Sequence, residues 1–409
     1  MSRPRPQWLS PLVGIFLTVF IDLLSFGLVI PDIQLRAETL GARGEVLGLA
    51  LGIFSLAQLL TAPYLGRLSD RIGRRKILLI TCTIAVISFL VYANAENLTV
   101  IFIARILSGV AGANVGVAFA YVADVTKPEE RSKGMGMIGA AFGLGFVFGP
   151  VLGALLIRAG DDRPQLLGYV AAGLALINLL YVYFALPESH PVRSGPHTTF
   201  GQNIRKAFGV PSLALLLVMF FVFNFAFTNL ETTFFRLLQE PTWQFALPTS
   251  EAKQSGAYVL ALVGVVGVIM QGFVIRLVTP IFGEVKLLRI AYLIVGPVLL
   301  SIPYTPLWVP FLGGVILLGI GTGLAQPSMS SLISRNAPAD MQGGIFGITQ
   351  ALGAVARFVG PIVSNRLFEV SPAFPYVLAA GLVIVPAIAA WFVRMPEGVA
   401  SPEGAIEIG

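Results

Sequence analysis

Four ionisable side chains stand inside long apolar stretches of this chain: Asp22, Arg105, Glu231 and Arg357. At the centre of a membrane helix each costs at least ~2.5 kcal/mol, so each needs a partner or a wet cavity. The chemistry open to such groups is proton uptake and release, ion pairing, or recognition of a charged solute. Asp22 falls about eleven residues into the first apolar run, with Thr18, Ser25 and Val29 on its face at helical spacings. An acid carried between a wet and a dry environment binds and releases a proton, which makes Asp22 and Glu231 the proton-coupling candidates.

Glu231 shares a face with Asn224 and Thr228 and is followed by Thr232, Thr233, Phe234 and Phe235, a mixture suited to a cavity wall. Its other reading is a carboxylate reaching the outer interface. Arg105 can pair with Asp22, meet an anionic group, or tie helices together as an internal ion pair. Arg357, on one face with Gln350 and Ser364, is either a second cavity cation or the partner of Glu231. Together with Phe26, Gln58, Phe227 and Gln326, these residues make the expected substrate cavity: Asp22, Phe26, Gln58, Arg105, Asn224, Phe227, Thr228, Glu231, Gln326, Gln350 and Arg357. Phe223 is a further aromatic candidate.

The elements that must hold these groups follow from composition. A soluble chain carries roughly a quarter charged residues; here they are 12%, against 56% apolar. So few charges cannot cover a particle of this size, and most of its surface must face something other than water. A helix crosses a bilayer with about 20 apolar residues. Twelve apolar runs of that order occur, near 11–30, 46–65, 77–95, 98–123, 134–157, 165–186, 211–237, 255–276, 286–304, 308–334, 343–367 and 374–394. They are continuous and not alternating, which disfavours a β-barrel. The expected fold class is an all-α polytopic membrane protein of twelve transmembrane helices. The first run holds Asp22 at its centre and has no small-residue cleavage site, so it reads as a span and not as a signal peptide.

Other chemistry is poorly supplied. The single cysteine, Cys82, forbids an internal disulfide, and both histidines, His190 and His197, fall in a polar linker. No metal site or catalytic constellation is expected, and no cofactor: the chain does not read as an enzyme. No GxxxxGK[ST] loop occurs, which removes primary ATP-driven pumping. The net charge of +6 is explained by topology and not by nucleic acid, because most lysines and arginines outside the spans fall on the side that holds both termini and the linker. That side is the cytoplasm by the positive-inside rule.

The chain also repeats. Gly109 and Gly112 return near Gly319 and Thr322, Pro128 as Pro338, and Gly149-Pro150 as Gly360-Pro361. Two parallel six-helix copies are the layout in which a central cavity forms. The expected division is 1–186 and 211–395 as six-helix bundles, 187–210 as a cytoplasmic linker and 396–409 as a cytoplasmic tail. The second copy lacks most of the charges of the first hinge.

Three motifs carry a resemblance. Residues 66–76 read GRLSDRIGRRK, residues 105–112 RILSGVAG, and residues 145–154 GFVFGPVLGA. They resemble the signature loop, the helix-4 arginine motif and the antiporter motif of the major facilitator superfamily, within it the twelve-helix drug:proton antiporters that include the tetracycline exporters. Ser108 stands where the family has Gln, and Ala154 where it has Gly. The resemblance implies a cytoplasmic gate made by Gly66, Asp70, Arg71, Gly73, Arg74 and Arg75 with Asp124 and Arg131. The arginines would reach Asp124, Glu129 or Glu130 and lock the cytoplasmic side. By the residues alone these cations could simply fix topology, although topology does not need Asp70 or the glycines. Gly66 is expected to permit close helix approach. Gly145 and Gly149 put two bare positions on one helix face, and Pro150 breaks a backbone bond. With Gly153 they form a seam that the resemblance ties to antiport, and that otherwise reads as tight packing.

The leading expectation is a secondary transporter that exports small amphipathic compounds or drugs against protons by alternating access. It would work as a monomer in the bacterial inner membrane, driven by the proton gradient. The alternatives are a facilitator or proton symporter for a sugar, organic anion or lipid-like metabolite, and a receptor or scaffold that no longer transports. Runs 77–95 and 286–304 hold no interior acid, unlike the tetracycline exporters, so tetracycline is not the expected substrate.

Overall fold

The computed structural model describes residues 10–127, 131–159, 163–189, 200–243, 245–305, 307–338 and 342–393. Its helices are α1 (Pro11–Thr39), α2 (Gly44–Ile72), α3 (Arg74–Ala93), α4 (Leu98–Gly112), α5 (Asn114–Val125), α6 (Arg131–Ala159) and α7 (Pro164–Phe184). They continue as α8 (Phe200–Phe208), α9 (Pro211–Gln239), α10 (Thr249–Ile269), α11 (Ile275–Ser301), α12 (Trp308–Asn336), α13 (Gln342–Val370) and α14 (Phe374–Ala389). The all-helical, polytopic expectation is met.

Local chemistry explains the boundaries. Ser10 caps α1, accepting from the Val13 amide at 3.3 Å, with Pro11 in the first turn. Asn97 caps α4 through the Val100 amide at 3.1 Å. The fourth run is broken at Ala113 into α4 and α5. Gly73 ends α2 and starts α3 at φ 107°, and Gly283 breaks α11 at φ 72°; both lie in the left-handed region that favours glycine. The Gly283 break divides the long apolar stretch Thr249–Tyr304 into two spans, matching the separate runs expected there.

The chain forms two compact units. Unit one comprises Met1–Ser194 with Leu247–Ala261, and unit two comprises Gly195–Ala246 with Leu262–Gly409. In unit one α1 packs on α6 and α7, and α3 on α4 and α7; in unit two α9 packs on α13 and α14, and α11 on α12 and α14. The same pairing scheme runs through both, as a duplicated bundle requires. Large apolar side chains such as Phe184 (77% exposed) and Val309 (82%) point outwards, a surface built for lipid and not for water. Some helices depart from the expected bounds, α2 among them, which runs on to Ile72. Helix α1 runs on to Thr39 and carries Asp32 and Arg36 past the apolar run, while the linker contains α8.

Candidate functional site

Asp22 projects from α1 into unit one, where, among the described residues, two amides meet its carboxylate. Asn114 Nδ2, from the first residue of α5, donates to Oδ2. Asn178 Nδ2, from α7, donates to Oδ1 at 3.4 Å and to the Thr18 carbonyl at 3.0 Å. Both asparagines are buried. The hydroxyls of Thr18 and Ser25 turn back to their own helix, at 3.0 Å and 2.8 Å.

Arg105 does not pair with Asp22. Its Nε donates to the Ala50 carbonyl at 3.3 Å and its Nη2 to the Leu51 carbonyl at 2.8 Å, both on α2. The guanidinium lies 4.9 Å from the Phe54 ring and 5.7 Å from the Phe26 ring, and these two rings stack at 4.7 Å. A small cavity here is lined by Phe26, Ile33, Ser88, Tyr92, Arg105 and Ser108, among others. Gln58 is spent on the Gly112 carbonyl at 2.8 Å, bracing α2 against the end of α4.

In unit two, Glu231 on α9 and Arg357 on α13 act on each other electrostatically, with no hydrogen bond or ion-pair contact of either among the described residues. Asn224 and Thr228 bond backward along α9 at 2.8 Å each, and Phe227 is half-buried beside them. Gln326 is half-buried and Gln350 exposed, neither hydrogen-bonded among the described residues. Phe223 is buried against Tyr292 at 5.5 Å, so it packs instead of lining a cavity.

Of the residues expected at the cytoplasmic gate, Asp70 and Asp124 meet at Arg74. Its Nε reaches Asp124 Oδ2 at 3.1 Å, its Nη2 pairs with Asp70 one turn back, and its Nη1 donates to Ser69 Oγ. Ser189 adds a second donor to Asp124 at 3.0 Å. Arg75 instead donates to the Val182 and Tyr183 carbonyls at the end of α7, while its amide donates to Glu188 at 3.0 Å. Arg71 is exposed. Glu129, Glu130 and the Arg131 side chain lie outside the described residues. At Gly66, where close helix approach was expected, a Cβ would meet nothing within 4 Å. Gly73 is the constrained glycine, by its φ and by Glu188, whose Oε2 a Cβ would meet at 2.5 Å.

Unit two has its own version of this network, which the sequence reading missed. Glu284 follows the Gly283 turn as Arg74 follows Gly73. It is buried, accepts from Ser331 Oγ at 2.8 Å, and pairs with Arg335 at the end of α12 at 2.9 Å. The signs are inverted: the cation is on the loop in one unit and on the helix end in the other. The second copy therefore keeps a buried ion pair at the corresponding turn, with its charges exchanged.

The Gly145–Ala154 seam packs α6 against α1, the helix that carries Asp22. A Cβ on Gly145 would lie 2.5 Å from Leu23 Cβ, one on Gly149 2.7 Å from Gly27 Cα, and one on Gly153 2.5 Å from the Leu28 carbonyl. Pro150 sits within this contact, its ring beside Gly27. Because Gly149 faces backbone, no rotamer can relieve the overlap. Gly149→Ala should destabilise by roughly 1–3 kcal/mol. Gly139→Ala on the same helix, facing open space, should be neutral or stabilising. Thermal unfolding of the two purified variants distinguishes them, and equal melting would refute the seam.

In the sequence Asn114 and Asn178 are polar residues inside spans, with no local sign that they meet Asp22. Asp32, Arg36 and Lys253 were missed because they fall just beyond the apolar runs. No group of three metal-ligating side chains occurs among the described residues.

The family model described as Major Facilitator Superfamily matches residues 15–361. The class C tetracycline resistance protein of Escherichia coli is 30% identical over 88% of this chain and 90% of its own length. Multidrug resistance protein 2 of Bacillus subtilis is 26% identical over 90% and 91%. The crystal structure of the human organic anion transporter MFSD10 (TETRAN) superposes with a TM-score of 0.70 at 25% identity, covering 94% of this chain and all of that one.

Proposed function

The chain belongs to the major facilitator superfamily of membrane transporters, and on that premise we propose that it exports small amphipathic compounds in exchange for protons. The observation that carries this reading is the setting of Asp22, a carboxylate within a span whose hydrogen-bond partners are two neutral amides. A carboxylate so held can gain and lose a proton without breaking an ion pair. The α6 seam braces its helix at Leu23, Gly27 and Leu28, so a shift of α6 moves Asp22 relative to Asn114 and Asn178. The similarity to tetracycline and multidrug resistance proteins supports efflux. We place both termini and the 187–210 linker in the cytoplasm, the protein in a bacterial inner membrane as a monomer, and alternating access in two six-helix bundles as the mode of transport.

One observation favours a second reading, an organic anion as cargo. Arg105 is buried, and among the described residues backbone carbonyls and ring faces meet its charge. A buried cation without a carboxylate is a receptor for one, and the human structure is described as an organic anion transporter.

Reconstitution into liposomes with an entrapped pH-sensitive dye tests both. Lipophilic cations, zwitterions and carboxylates are added in turn. Export against protons acidifies or alkalinises the lumen according to the direction of the imposed compound gradient. Proton movement with cations or zwitterions supports drug:proton exchange, and movement only with carboxylates supports the anion reading. Compound flux with no proton movement refutes the coupling.

A further inference from the structure

Asn178 holds more hydrogen-bonding capacity beside Asp22 than the carboxylate uses. Its Nδ2, on α7, is shared among the Thr18 carbonyl at 3.0 Å, Asp22 Oδ1 at 3.4 Å and Cys82 Sγ, on α3, at 3.8 Å. Its Oδ1 is buried and accepts nothing among the described residues. The whole residue is 0% exposed, and Cys82 is buried with it. The two oxygens of Asp22 are therefore unequal: Asn114 holds Oδ2 closely, and Asn178 holds Oδ1 loosely.

An ionised carboxylate fixes the Asn178 amide. The amide nitrogen must face Oδ1, because its oxygen would meet a second acceptor there. Protonation removes that constraint. The acid now carries an O–H beside Asn178, and a buried hydroxyl without an acceptor is costly. Half a turn about the Asn178 Cβ–Cγ bond brings in the orphaned Oδ1 as that acceptor, and the oxygen and nitrogen of an amide occupy nearly the same space. The thiol suits both orientations, since its sulfur accepts and its S–H donates. The Thr18 bond is lost on rotation, so three contacts of Nδ2 become two of Oδ1. Among the described residues no charge competes for this role. Arg105 on α4 is held by α2 carbonyls, and Gln58 on α2 by the Gly112 carbonyl. Helix α6 meets α1 here through bare glycines. Asp22 thus faces Asn114 from α5, Asn178 from α7 and, electrostatically, Cys82 from α3.

We propose that Asn178 is a positioning residue for proton uptake, which turns its amide nitrogen to ionised Asp22 and its oxygen to the protonated acid, while the Cys82 thiol changes from acceptor to donor. The proton comes from the aqueous side and stays on Asp22 Oδ1; no covalent bond of Asn178 or Cys82 changes. Rotation frees the Thr18 carbonyl, so a proton on α1 is registered as a lost tie between α1 and α7. The proposal rests on the reading of Asp22 as the proton carrier.

The chain has one cysteine, so its S–H stretch is a native reporter in a spectral region clear of other protein bands. Infrared difference spectra of the full-length protein in detergent are recorded through a pH titration. On acidification a carboxyl C=O band should appear that Asp22→Asn lacks. With the same midpoint, the S–H band should shift to lower frequency and intensify as the thiol becomes a donor. Cys82→Ala assigns that band by removing it. Asn178→Leu is close in volume and removes both amide groups, so its Asp22 band should still titrate while the S–H band stays still. A shift that survives in this variant is a field effect of the neutralised carboxylate and overturns the rotation. If the variant does not fold, the parent decides, because a shift without gain in intensity overturns the rotation equally. A titrating Asp22 band with no S–H change overturns this inference and leaves the proton-carrier reading standing. No titrating Asp22 band overturns both.

Discussion

Asp22→Asn should abolish proton-driven transport while leaving proton-independent exchange of the compound across the membrane. The substitution keeps the size and position of the side chain. Its carbonyl can still accept from one of the two asparagines that hold Asp22. Its amide must then face the other donor, a mismatch of about 1–3 kcal/mol at most, which the fold tolerates. What it cannot do is change protonation state. The expected signature is a loss of lumenal pH change on adding compound, with counterflow of labelled compound retained. Glu231→Gln is the comparison. There the lost charge is the electrostatic counterpart of Arg357, so the expected defect is in compound binding or stability, with coupling intact. If Asp22→Asn moves protons at the parent rate, the coupling proposal is wrong.

Arg74→Ala should be the most destabilising substitution of the gate, at roughly 3–5 kcal/mol. Arg74 and Asp124 each expose only 9% of their side chains, so removing the cation leaves a buried carboxylate held by the Ser189 hydroxyl. The reverse change is milder. Asp124→Asn leaves Arg74 with Asp70 and Ser69, and Asp70 is 47% exposed, so solvent shares the load. Arg74→Lys should recover little, because one ammonium cannot serve three acceptors from a planar fork. Thermal unfolding in detergent ranks the three. A melting temperature for Arg74→Ala equal to that of Asp124→Asn would show that the network is not organised around the arginine.

Residues 66–76 were legible because their pattern of charge and glycine is local: a turn, a cap and an i,i+4 pair lie within one stretch of chain. The inverted network of Glu284 and Arg335 was not, although the turn at Gly283 repeats that at Gly73. An ion pair stores the same attraction with either polarity, so sequence similarity is lost while the interaction persists. Arg105 was recognised as a charge within a span, but its partners were not. They are carbonyls of α2, and every residue has a carbonyl. Asp32 and Arg36 lie outside the apolar runs because an apolar window ends where charges begin, whereas α1 continues for about two and a half turns beyond it.

By itself the sequence determined the class of the molecule, its apolar helical spans, its duplication and the positions of the costly charges within them. Those follow from composition and periodicity, which reflect how long an apolar helix must be to cross a bilayer. Tertiary structure alone decided who meets whom. It gave Asp22 two amides instead of Arg105, set bare glycines of α6 on the backbone of α1, and joined Asp32 to a lysine more than 200 residues away. Pairing depends on distances of a few ångströms between helices remote in sequence, and no local pattern of residue types encodes such distances.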